Sequence, residues 1–437
     1  MSSEPAYRPL LSEQQGHGGE PGREYGAVQP CPETETGTAQ VTQRGGSIEA
    51  FFHIVCITAG TGILQLPYAL KVGGWAGGLY IVLAAVIAAY SGDIIIKCLY
   101  CKQGVRLRSY PEVAEAAFGR HGRAIVRLLK DFNLLGVVGI YIVLAGVNIN
   151  SLLAGTAGGQ LGVQFWSAAS AFLVWIVIVF AREVHDVFLL SVFGTLTTVV
   201  MVVIIIWLGI SDVEYAQARP PTRLVNLGMA PVSLASICFS FGGNLNWPDV
   251  EASMKSPKMW SRTLSLATAF VSFIYLSVAV VGYGVYGDLV KSPVLLSLPS
   301  GIAVVVADAM ITAHVLLACP VLLTAVFIEA ENDLGIGVAA GDSIRARFYC
   351  KVLRSLLMGF VAFFAVFVSD FSKVIPILGA VAGSMVVFVI PVACYIRLFR
   401  AQRAFSAWEY AWCALIVCVG LICLVIGTSQ AIADLYK

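Results

Sequence analysis

The sequence predicts an all-α, polytopic membrane protein with eleven transmembrane helices. Three observations carry that prediction. The 437 residues are 58% apolar and only 12% charged, with mean hydropathy +0.83, whereas a soluble domain has about 25% charged residues. Many apolar runs are long enough to cross hydrocarbon, which takes about 20 helical residues. Lys and Arg gather in alternate loops, the asymmetry that orients membrane helices. A net charge of +2 offers nothing to nucleic acid; the lipid bilayer is the expected partner, and oligomeric state is not legible.

Residues 1–46 are polar, without periodicity, and rich in Gly, Glu and Gln. They cannot bury a core, so a disordered cytosolic tail is expected. No basic region precedes an apolar run there, so no cleavable signal peptide is expected. Apolar runs then place spans at 48–71, 76–100, 124–152, 165–181, 187–210, 229–252, 261–285, 301–328, 346–369, 373–398 and 407–432. A short polar helix, 109–120, is expected at the cytosolic face, with Pro111 in its first turn. The main exoplasmic loop is 212–228, and 329–344 is a cytosolic linker carrying Glu329, Glu331, Asp333 and Asp342. A cytosolic N-terminus leaves only Lys71, Arg219, Arg223, Lys291, Lys373 and Lys437 outside. The C-terminus is then lumenal or extracellular. None of the eleven cysteines falls in an exoplasmic loop, so no disulfide framework is expected.

Two spans carry an anomaly. The first holds Ala59-Gly60-Thr61-Gly62 in mid-bilayer, with Pro67 following. The sixth holds Phe239-Ser240-Phe241-Gly242-Gly243-Asn244, with Pro248 following. Glycine costs roughly 1 kcal/mol in a helix and proline roughly 3, and lipid supplies no water for freed amides. Broken backbone at that depth is tolerated where it lines a cavity walled by protein. Five spans separate the starts of the two broken helices, and an odd shift inverts orientation. Residues 47–211 and 229–400 are therefore expected to be inverted five-helix repeats, with residues 401–437 adding an eleventh helix. Matched, interrupted spans point to a transport site near the midplane.

The run from Gly60 to Gly74, G-T-G-I-L-x-L-P-Y-A-L-x-x-G-G, resembles the first-span signature of the amino acid/auxin permease family. Phe239-Ser240-Phe241 followed by Pro248, Glu251 and Met254 resembles its vesicular inhibitory amino acid transporter branch, as does the stretch from Gly92 to Tyr100. The similarity covers residues 47–400; the tail has no such match. It implies a LeuT-type core of five plus five helices and one extra. It also implies an amino acid carrier working by alternating access, driven by protons or sodium.

A zwitterion needs one place for its carboxylate and another for its ammonium. Amides at Thr61 and Gly62, at the start of a half-helix, offer partial positive charge. Carbonyls around Phe239, Ser240 and Phe241 offer the opposite. The candidate substrate contacts are Thr58, Gly60, Thr61, Gly62, Tyr141, Phe239, Ser240, Phe241 and Gly242. Asn133, Tyr141 and Asn148 share one face of the third span.

The resemblance implies a coupling role for His53, because proton-coupled members carry a histidine at this spacing before G-T-G. It also implies a cation site between the first and eighth spans. The carbonyls there would be those of Cys56 and Ala59, with Thr312 opposite. His314 in that region favours protons over sodium, and a histidine suits proton coupling. Asp308 is expected to face water in the outer vestibule, and Glu251 to gate the inner mouth by pairing with an arginine. Arg127 and Asp131 are expected to pair at i,i+4. Ser191, Thr195 and Thr198 form a polar stripe on the fifth span.

No cofactor is expected beyond the coupling ion, and no catalytic constellation or metal ligand set stands out. Leu10-Leu11, near Glu4 and Arg8, is reminiscent of an endolysosomal sorting signal. A vacuolar, lysosomal or vesicle membrane is therefore favoured over the plasma membrane. The competing readings are a sensor of the same fold that signals through its tail, and a sodium-coupled plasma-membrane symporter.

Overall fold

The protein is described here by a computed structural model covering residues 46–101, 105–180, 187–212, 217–218, 220–336, 344–368 and 370–435. The tail, its dileucine, Arg182, Arg219 and Lys437 lie outside the described residues. The described chain is helical almost throughout. Nine helices among these residues are long and apolar enough to cross a bilayer. The segments Ser47–Gly73 and 230–253 are interrupted.

In chain order, α1 is Ser47–Thr58 and α2 is Leu66–Gly73, joined by a tight turn of helix, Thr61–Gln65, and bent by 42°. Next come α3 (Gly77–Leu99), α4 (Tyr110–Leu152), α5 (Gly162–Phe180) and α6 (Val187–Ser211). After the loop, α7 (Ala230–Ser240) and α8 (Trp247–Ser253) are separated by a second break. Then follow α9 (Trp260–Tyr286), α10 (Ile302–Asp333), α11 (Ile344–Phe367), α12 (Phe371–Phe399) and α13 (Ala407–Asp434). These bounds meet the expected spans to within a turn in most cases.

Two boundaries and one expected ion pair differ for physical reasons. The polar helix at 109–120 and the third span form one run, α4, broken at Gly119, where φ 70 and ψ −160 admit glycine most readily. The expected linker after 328 begins as helix: α10 runs to Asp333, because its last acidic residues find cations on neighbouring helices. Arg127 takes Glu329 at 2.8 Å and also Asp333, so it does not serve the expected partner Asp131. One carboxylate oxygen of Asp131 is buried without a partner.

Packing sets the two interrupted segments at the centre of the bundle. α9 lies against α1, α2 and α3, while α7 is wedged between α2 and α12. The wedge needs small residues: a side chain at Gly379 of α12 would collide with the Ala235 carbonyl of α7. At the end opposite the start of α1, the loop 220–228 straps the bundle. Trp75 and Ala76 amides donate to the Arg223 and Leu224 carbonyls at 3.0 Å, and the Asn226 amide to Gly73 at 3.0 Å. Gly74 (φ 79) makes this possible, since a Cβ there would sit 2.8 Å from Leu224 O. Beneath the strap the Gln65 side chain donates to Ser372 O at 3.3 Å and accepts from the Ser292 hydroxyl.

Candidate functional site

The α-helical register fails at Ala59 (φ −78, ψ 53) and Gly60 (φ −88, ψ −152). The Gly60 amide turns back to Thr58 O at 2.8 Å instead of continuing the ladder. Thr61 and Gly62 then open a new helical segment, where the first amides have no acceptor within the helix. In the second break the Phe241, Gly242 and Gly243 amides fold back onto Cys238, Phe239 and Phe241 carbonyls at 3.1, 3.1 and 2.9 Å. Pro248 lies at the start of α8, where its missing N–H costs nothing.

These two breaks meet. A Cβ built on Gly62 would lie 2.9 Å from Ser240 Cα. The buried Tyr275 hydroxyl of α9 bridges the two breaks, 2.5 Å from Thr58 O and 2.8 Å from Ser240 O, its one proton shared between the two carbonyls. The Phe241 ring packs on the Tyr275 ring, 5.1 Å between centroids.

Beside the junction is a cavity of about 260 Å³, just below the roughly 300–1,000 Å³ of drug-sized sites. Its wall takes Cys56, Ile57, Thr58, Gly60, Thr61 and Gly62 from the first break, and Phe239, Ser240, Gly242 and Asn246 from the second. α4 adds Asn133, Leu134, Val137 and Tyr141, and α10 adds His314, Ala318, Val321 and Leu322. No Asp, Glu, Lys or Arg stands among them. A charged ligand here would be met by backbone dipoles rather than fixed charges.

Of the expected substrate contacts, Thr58, Gly60, Thr61, Gly62, Tyr141, Phe239, Ser240 and Gly242 come together in this wall. Phe241 does not; it is 1% exposed because it faces Tyr275 rather than the cavity. The carbonyls expected to be free each have a donor: Phe239 from Gly242, Ser240 from Tyr275, and Phe241 from Gly243. A carbonyl oxygen keeps a second lone pair for a ligand.

The expected coupling residues separate into groups. Cys56 and His314 line the cavity. The His314 ring lies against Gly194 of α6, where a Cβ would be 2.8 Å from Nδ1, and Nδ1 is buried with no hydrogen-bond partner. His53 is half-buried on α1, away from the cavity wall. The Ala59 carbonyl accepts from the Thr198 hydroxyl at 3.1 Å, and Thr312 accepts from Asn148 Nδ2 at 3.2 Å. The stripe on α6 thus has a specific task at Thr198, while the Ser191 side chain lies outside the described residues. Asp308 is 3% exposed rather than open to a vestibule, because α10 packs along α4 and α6.

Glu251 is fully buried and held by Arg106, whose Nε donates to Oε2 at 3.0 Å and whose Nη2 reaches the Pro248 carbonyl at 2.7 Å. Tyr100 donates to Oε1. Sequence reasoning expected an arginine but did not single out Arg106, one of several cations in the same loop. It also missed Tyr275, one of several hydroxyl-bearing residues in its span with nothing in the local sequence to mark it out.

A model of the family described as transmembrane amino acid transporter protein matches residues 43–433. Amino acid transporter AVT1B of Arabidopsis thaliana is 26% identical over 397 residues, covering 89% of this chain and 71% of its own. The vesicular inhibitory amino acid transporter of Xenopus tropicalis is 25% identical over 406 residues, covering 89% and 77%. Among solved structures, MhsT in complex with L-phenylalanine aligns with TM-score 0.53 at 12% identity, covering 89% of this chain and all of that one. That likeness speaks for the fold.

Proposed function

Since the chain belongs to the transmembrane amino acid transporter protein family, we propose that it is a secondary active carrier of amino acids working by alternating access and coupled to protons. In this reading Ser47–Gly73 and 230–253 are the first and sixth of eleven spans, each discontinuous, within inverted five-helix repeats. The observation that carries the reading is the meeting of Gly62 and Ser240 beside a cavity free of fixed charge. Thr61 and Gly62 amides receive the substrate carboxylate. The spare lone pairs of the Phe239 and Ser240 carbonyls receive its ammonium, with Tyr141 closing over the site. Captured L-phenylalanine in MhsT and the amino acid named for the vesicular relative are consistent with a substrate of that class.

Two features support protons over sodium. α10 offers Thr312 but no adjacent hydroxyl to complete the oxygen set that a sodium ion needs. His314 meanwhile stands in the cavity wall with a bare ring nitrogen. With the N-terminus cytosolic, the strap at 220–228 closes the exoplasmic side, and Arg106 with Glu251 is the inner gate. The vesicular relative supports an organelle membrane. Radiotracer uptake into liposomes holding the full chain, screened across amino acids with and without a pH gradient and sodium, tests the whole. Uptake driven by pH alone is expected; no movement of any amino acid overturns it.

A further inference from the structure

Four acids lie on α10, and the structure treats one of them differently. Glu329 meets Arg127 at 2.8 Å, Glu331 meets Arg354 at 2.7 Å, and Asp333 meets Arg127. Asp308, two turns into the helix at its other end, is 3% exposed. Neither of its oxygens has a hydrogen-bond donor or cation among the described residues. A bare carboxylate is not stable in a membrane interior without a counter-charge, so an intramembrane acid left this way is there to bind a proton.

The facing helices bring no charge to it. α4 carries none between Phe132 and Leu152, where Tyr141 is the sole titratable residue, and neither α5 nor α6 carries any. The cations of α11, Arg345, Arg347, Lys351 and Arg354, stand at the far end of α10, where Arg354 meets Glu331. Asp212, just beyond α6, accepts from the Tyr286 hydroxyl at 3.0 Å. On α10 itself His314 turns to Gly194.

A second observation points the same way. Thr312 is one turn from Asp308 on the same face, and it joins α10 to Asn148 of α4. Asn148 is 1% exposed, and its Oδ1 is a buried acceptor with no donor. A protonated carboxyl, directly or through one water, supplies the kind of donor that this oxygen lacks. Tyr141, two turns along the same face of α4, is already in the cavity wall. Asp308, the Asn148–Thr312 pair and Tyr141 thus form a polar line from the exoplasmic half of the bundle to the ligand cavity.

We propose that Asp308 takes up and returns the driving proton, which water carries between its carboxyl and the cavity at Tyr141, while the Asn148–Thr312 pair positions the protonated carboxyl. The carboxylate gains a proton from exoplasmic water when the carrier opens outward. In the inward conformation the O–H bond breaks and the proton leaves to cavity water, restoring the carboxylate. The proposal rests on the carrier reading for its purpose, not for the protonation itself.

Two measurements on the full chain in lipid test it. Infrared difference spectra of wild type against Asp308→Asn, from acid to alkaline pH, should show a protonated-carboxyl C=O band at neutral pH that the variant lacks. Absence of that band overturns the proposal. In proteoliposomes, Asp308→Asn should lose about tenfold or more of pH-driven accumulation, toward the level of passive exchange, because the coupling free energy is gone. Asp308→Glu, which keeps the acid, should retain driven accumulation. An Asn variant that still accumulates substrate as wild type does, or a Glu variant as uncoupled as the Asn variant, overturns it. A wild type that exchanges no amino acid counts against the carrier reading, and the infrared band then decides Asp308 alone.

Discussion

Gly62 and Ser240, one from each interrupted segment, approach so closely that a Cβ on Gly62 would lie 2.5 Å from Ser240 Oγ and 2.9 Å from Ser240 Cα. No third residue separates the two breaks at this point. The glycine serves contact here as much as flexibility, because it brings the amides of one break and the carbonyls of the other to one wall of the cavity.

Gly62→Ala should therefore be costly, because the added methyl would meet the Ser240 backbone and not only the end of a flexible side chain. Overpacking of this kind costs about 1–3 kcal/mol, and here it would push the two breaks apart. Uptake is expected to fall by about an order of magnitude or more, consistent with that range. Ser240→Gly, which removes Oγ and Cβ, should restore part of the loss in the double variant. A double-mutant cycle on uptake rates checks it; simple additivity would contradict the contact.

Tyr275→Phe removes a donor shared by two carbonyls and strands one of them. Thr58 O keeps the Gly60 amide, whereas Ser240 O loses its donor in a fully buried place. The cost of an unsatisfied buried group is about 1–3 kcal/mol. A lower thermal midpoint in detergent, together with slower uptake, is expected. Tyr283→Phe, at the strap, serves as the comparison that spares the cavity.

The Arg106–Glu251 pair should respond asymmetrically to substitution. Arg106→Ala leaves a carboxylate whose side chain is 1% exposed with no counter-charge; breaking a buried pair in that way costs about 3–5 kcal/mol. Glu251→Gln leaves an arginine that is 27% exposed and still bonded to Pro248 O, so about 1 kcal/mol is expected. Thermal unfolding of the two variants in parallel gives the order. The reverse order would remove Arg106 as the partner that matters.

Replacing sodium by choline should leave pH-driven uptake unchanged, since α10 offers Thr312 but no adjacent hydroxyl to complete a sodium site. Sodium-dependent uptake by the wild type would contradict this arrangement.

His314→Ala should raise KM more than it lowers the exchange rate at saturation, because the ring stands in the cavity wall with its Nδ1 unpartnered. His53→Ala, away from that wall, should leave KM unaltered. Concentration series of exchange in proteoliposomes separate the two.

Helix positions were legible because hydrocarbon forces them: a run such as Ile302–Asp333 has no alternative in lipid but a helix. The breaks at Gly60 and Gly242 were legible for the complementary reason, since glycine and proline in mid-span betray unpaired backbone. Which polar side chains find one another was not. Arg127 sits four residues from Asp131 yet turns to Glu329 and Asp333, because the neighbouring helix offers two carboxylates where its own offers one. Asp308 looked like a residue for water until α4 and α6 covered it.

Composition and periodicity alone determined that this chain is a membrane bundle with two interrupted helices, since both follow from the cost of backbone and charge in lipid, a property of each segment by itself. The tertiary structure alone decided that Tyr275 ties the two breaks together, that Phe241 turns from the cavity, and that Asp308 stays without a counter-charge. Those outcomes depend on which helix faces touch, and pairwise contact between distant segments leaves no trace in local sequence.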